Sequence, residues 1–136
     1  MDAPLKAIRR LMLESHGLIT IAFGRTYVER GSSNYRSDLD LVERPVHDKW
    51  LTSPWAHIEP AMAYQVGLPV LIFREAGVVA EGVLEHGVLG TYMPAVDLSG
   101  SLDQYFSSEA WRHVIARWEG YVRAVVETKG NPPTLY

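Results

Sequence analysis

At 136 residues, 47% hydrophobic and 21% charged, the chain falls in the size range of one globular domain, spanning 1–136, able to bury a core of its own. A net charge of −3 supplies no broad basic surface, which argues against nonspecific nucleic-acid binding. The absence of cysteine excludes disulfides and thiolate metal sites and is compatible with a cytoplasmic location, and the apolar runs are strand-length with no leader pattern, so no membrane association is expected.

The first element is an amphipathic helix over 5–14. Leu5, Ile8, Leu11 and Met12 recur at helical spacing, with Lys6, Arg9 and Arg10 on the other side and Gly17 as the stop. The basic residues read as a solvated face, with phosphate contact as the alternative. Residues 18–23, Leu-Ile-Thr-Ile-Ala-Phe, are β-branched and mostly apolar and predict a central strand. From 24 to 52 the chain turns polar and irregular, which marks a functional or mobile loop. Arg25, Tyr27, Arg30, Tyr35 and Arg36 put cations and aromatic faces there, suited either to gripping phosphate and stacking a base or to an ordinary surface flap. Asp38 to Val42 alternates in polarity and predicts an added edge strand. Its carboxylates lack the calcium-loop spacing and its glycine.

Residues 53–73 join a helix start, a helix stop and a buried strand. Ser53 can accept a bond from an orphan N–H, Pro54 suits a first helical turn, and Gly67 followed by Pro69 forbids continuation. Pro60 predicts that 54–58 form a separate turn, with the regular helix starting at Pro60 and ending near Val66. Val70 to Phe73 is apolar on both faces, as a parallel strand covered by helices on both sides would be. Glu59 then lies at a helix head, where the positive end of the dipole favours a carboxylate.

The run Ser-x-Trp-x-x-x-Glu, followed by a small-residue helix and Gly-x-Pro-Val-Leu-Ile, resembles the segment carrying the catalytic glutamate of TIR domains and, more loosely, of nucleoside 2-deoxyribosyltransferases. The resemblance covers roughly residues 5–73. It implies a flavodoxin-like parallel sheet flanked by helices, here without its first βαβ portion, and work at the sugar carbon of an N-glycosidic bond. Carried over by position, the catalytic residue is Glu59. Gly24, Arg25, Ser53 and Trp55 are expected to form the substrate pocket with it, because the end of one strand meets the head of the following helix at the crevice. NAD or a nucleoside is the implied small-molecule substrate, with no metal and no bound cofactor. The lack of the first βαβ portion would bare a sheet edge, so a homo-oligomer is expected.

After the central unit, 78–85 reads as a loop with a short helix, and 88–93 as a last strand broken by Pro94. A helical stretch in two pieces meeting at Ser107-Ser108 follows. Its second piece aligns Trp111, Val114, Ile115, Trp118, Tyr121, Val122 and Val125 on one side to pack on the sheet, and 130–133 end it. Other chemistries find little support. His57 and Glu59 are two residues apart and do not share a helix face, unlike an i, i+4 metal pair. There is no Gly-x-Ser-x-Gly elbow, no Gly-x-Gly-x-x-Gly and no Walker loop. Glu59 is left with two readings: a carboxylate that stabilises an oxocarbenium-like centre, or a residue that only favours the helix dipole. A binding module without turnover and a self-assembly module are the two further functional classes.

Overall fold

The highest apolar density in the chain becomes the middle of its sheet. A computed structural model describes residues 3–128. In it β4 (Val70–Arg74) pairs in parallel on one side with β1 (Leu18–Ala22) and on the other with β5 (Thr91–Tyr92), giving a three-stranded sheet. Val70, Leu71, Ile72 and Phe73 are all buried. Val70 and Ile72 join the core under α1 (Pro4–Glu14) and α2 (Trp55–Gln65), whereas Leu71 and Phe73 join the core under α3 (Leu102–Phe106) and α4 (Glu109–Glu127). The period-two alternation of side chains assigns one pair to each face, so a strand apolar at every position suits a sheet covered on both sides. The architecture is therefore a mixed α/β fold, a parallel sheet flanked by helices.

The expected helices form, with instructive differences. In α1 only Ile8 and Met12 turn to the core, while Leu5 and Leu11 are about half exposed, so the helix is less completely buried than its spacing predicts. The helix ends at Ser15, before Gly17, and the Ser15 hydroxyl donates to the Leu11 carbonyl at 2.6 Å. Gly17 serves close approach instead: a Cβ there would lie 2.9 Å from Val122 Cγ2. Next to it the Trp118 indole N–H donates to the Pro69 carbonyl at 3.2 Å, tying α4 to the start of β4. The aligned residues from Trp111 to Val125 are all buried or half-buried, and α3 and α4 meet at Ser107-Ser108 as expected. Ser101 and Ser108 cap these helices, accepting from the N–H groups of Gln104 and Trp111. The expectation for 130–133 lies outside the described residues.

Five expectations are corrected. The 18–23 run is an edge strand, not a central one, since β1 ends the sheet order, and Ile19 and Ile21 are about half exposed. Periodicity reports an apolar strand but not how many neighbours it acquires. The supposed irregular loop is an antiparallel hairpin of β2 (Thr26–Ser33) and β3 (Arg44–Leu51), with Asp38 to Val42 in its connection and not in a strand. Both hairpin faces are largely exposed, so no polar/apolar alternation announces the strands. Pro60 does not begin a helix: α2 runs unbroken through it. The lost bond to the Ala56 carbonyl is offset by placing the ring fully in the core. Finally, the last strand shrinks to Thr91–Tyr92, because Gly90, at φ 65°, bends the chain against the Val70 carbonyl. The short helix expected within 78–85 is a single 3-10 turn, Gly82–Leu84.

Candidate functional site

The crevice forms where β1 ends and α2 begins. Beyond β1, the Gly24 N–H donates to Glu75 Oε1 at 2.8 Å, which anchors the turn to the end of β4. Gly24 also lies against the Trp50 ring, where a Cβ would approach to 2.9 Å. The hairpin base is clamped in turn: Arg25 N–H donates to the Leu51 carbonyl, Trp50 N–H to the Gly77 carbonyl, and Val79 N–H to the Trp50 carbonyl, at 2.8 to 2.9 Å. The Tyr27 and Trp50 rings meet at 5.2 Å between centroids with their planes tilted by 53°, and the Tyr27 hydroxyl donates to Asp48 at 2.6 Å. That bond holds the Tyr27 phenol above its ordinary pKa, since the neutral form is the donor.

On the far side, Ser53 Oγ accepts from the Trp55 N–H at 3.1 Å, the orphan-donor role its position predicts. Because α2 is continuous, Trp55 and Glu59 are four residues apart on one helix and share a face. The same continuity moves Glu59 down to the fifth helical residue, beyond the first turn, where the dipole's influence has largely decayed. The helix-head reading of Glu59 is corrected accordingly.

Gly24, Arg25, Ser53, Trp55 and Glu59 all line one hollow of about 440 Å³, together with Thr52, Ala56 and the β1 edge at Ile19, Thr20, Ile21 and Phe23. Glu59 is half-buried, and among the described residues its carboxylate takes no hydrogen bond or ion pair. Arg25 is exposed, and its guanidinium is likewise unpaired among the described residues. The hollow thus presents one carboxylate, one guanidinium, a serine hydroxyl and an indole face beside an apolar strand edge. Such a set can hydrogen-bond sugar hydroxyls, meet a phosphate and cover a planar ring.

The other residues considered for phosphate and base contact are elsewhere. Tyr27, Arg30, Tyr35 and Arg36 ride on the hairpin and do not line the hollow. Arg36 stacks on Tyr35 at 5.4 Å near the hairpin connection, a full strand length, roughly 25 Å, from its base. Sequence reasoning missed the contribution of Ile19, Ile21 and Phe23, which became visible only once β1 was seen to be an edge. Among the described residues no group of three metal-ligating side chains comes together. No family model matches the chain, and neither the curated proteins nor the solved structures give a match.

Proposed function

We propose that the Glu59 hollow binds the ribosyl portion of NAD or of a nucleoside, and that the chain is a hydrolase or transferase at the N-glycosidic bond, on a flavodoxin-like, TIR-like frame. The observation that carries this reading is the convergence of Trp55 and Glu59 with Gly24, Arg25 and Ser53 on one hollow, with the carboxylate free of any partner among the described residues. A volume of about 440 Å³ lies within the range of small-molecule sites, about 300–1,000 Å³. Glu59 is half-buried and, among the described residues, has no partner.

In this reading the bond between the anomeric carbon and the base nitrogen breaks with its electron pair going to the base. Nicotinamide leaves as a neutral molecule and needs no proton. Positive charge develops on the sugar, and the Glu59 carboxylate stabilises it, by hydrogen-bonding ribose hydroxyls or by attack at the anomeric carbon. Water, or a second base, then bonds to the anomeric carbon, displacing the Glu59 carboxylate where it has attacked and giving up a proton to solvent. A base that left a nucleoside as an anion takes a proton from solvent, so that the step closes as hydrolysis or transfer. Arg25 meets the phosphate, Ser53 a hydroxyl, and Trp55 covers the ring.

The test is incubation of the purified chain with NAD and, separately, with deoxynucleosides, while free base is followed by chromatography. Release by the natural chain, with a loss of about a hundredfold or more in a folded Glu59→Gln variant, is expected. Saturable binding without release would assign the hollow to a ligand-recognition module. Neither binding nor release would overturn the reading.

A further inference from the structure

The most anomalous surface of the molecule is a second, almost wholly apolar groove on the α3 side of β1, of about 350 Å³. Ile19, Ile21, Phe23, Leu98, Leu102 and Phe106 contribute to it and are each 44 to 50% exposed. Contiguous apolar surface of this kind often marks an interaction site. Beside it runs the open edge of β1. The Leu18 N–H donates to Pro69 and the Ala22 carbonyl accepts from Glu75, and backbone groups alternate in direction along a parallel strand. Leu18, Thr20 and Ala22 therefore face β4, and the N–H and C=O groups of Ile19 and Ile21 face outward.

We infer that this edge is occupied by the same edge of a second copy, the two β1 strands running antiparallel about a twofold axis at Thr20. Two features of that register select a copy of this chain. In that register Ile19 of each copy stands opposite the partner's Ile21, so all outward-facing backbone groups are matched as hydrogen-bonded pairs and Thr20 meets the partner's Thr20 in a non-hydrogen-bonded pair. The side chains of Ile19, Ile21 and Phe23 stay on one face, which sets the two apolar grooves side by side along the joined sheet. Half-exposed side chains of this size offer on the order of 80–100 Å² each, so complete cover of the six apolar residues would bury roughly 1,000 Å² over both copies, the lower bound of a specific interface. Ile19, Thr20, Ile21 and Phe23 also line the Glu59 hollow, so the partner's strand borders its open side.

The experiment is sedimentation equilibrium of the full chain, alongside two variants. The chain has no cysteine, so Thr20→Cys carries the only one. Across a non-hydrogen-bonded antiparallel pair the two Cα atoms stand about 4.5 Å apart, within disulfide reach. A dimer that becomes covalent on mild oxidation of Thr20→Cys is expected. Ile21→Lys, at a half-exposed position, should keep the far-UV circular dichroism of the natural chain and raise the dimer dissociation constant on the order of a hundredfold, because the paired edge would bury an unmatched ammonium. A monomer throughout the micromolar range overturns the inference. So does a dimer in which Thr20→Cys fails to cross-link or Ile21→Lys leaves association unchanged, since either outcome places another partner surface there.

Discussion

Truncating Ile72 tests whether β4 is the keel of this fold. The side chain is 1% exposed, stands between Thr20 of β1 and Tyr92 of β5 in the ladder, and packs into the core shared by α1 and α2. Ile72→Ala removes three carbons, about 2.5 kcal/mol at about 0.8 kcal/mol per buried methylene. The strand is bonded on both sides and cannot collapse into the space, so a residual cavity adds up to about 2 kcal/mol at about 24 cal/mol per Å³. The expected cost is therefore about 2.5 to 4.5 kcal/mol, a large part of the 5 to 15 kcal/mol typical of a domain. Urea unfolding followed by tryptophan fluorescence should show a lower midpoint at unchanged slope, and the melting temperature should fall by roughly 10 °C or more. A loss under about 1 kcal/mol would refute the reasoning, because it would mean that the strand is not enclosed on both faces.

Gly90→Ala should destabilise by at least about 2 kcal/mol in the same assay, since its backbone is left-handed at φ 65° and the added Cβ would sit 2.6 Å from the Val70 carbonyl oxygen; a neutral result would show that the turn before β5 is looser than described. Asp97 accepts from both the hydroxyl and the N–H of Ser99, which holds its carboxyl below the ordinary range, so its contribution is present above the unfolded carboxyl pKa and is lost as pH falls through the lower folded value. In Ser99→Ala, carboxyl-carbon NMR should find that titration moved upward, and an unmoved midpoint would assign the shift to another cause. Tyr27→Phe removes the donor to Asp48 and should loosen the hairpin base, read as faster amide exchange of Val28 and Lys49 while exchange of the central strand stays slow.

The central unit was legible in the sequence because its signals are local. Ser53, Gly67 and Pro69 act on their own backbones, and a run apolar on both faces has few places to go in a domain of this size. The two-piece C-terminal helix was legible for the same reason, with its serine caps and its stripe of large residues. The five candidate residues could be listed from spacing and resemblance, and all five line one hollow.

What local signals lacked was information about neighbours. Whether 18–23 lies at the centre or the edge depends on which segments pair beside it, and that choice is settled by the whole chain, which leaves Ile19 and Ile21 in both grooves. The hairpin was missed because its strands are exposed on both faces and are held by Trp50, Gly77 and Arg25 at one end, contacts remote from most of its residues. Pro60 carried a helix-start signal that tertiary packing overrode: a fully buried ring offsets one missing backbone bond. With the helix unbroken, Trp55 and Glu59 come to share a face, so the geometry of the candidate site follows from burial of the residue next to it, and residue order alone could not have decided it.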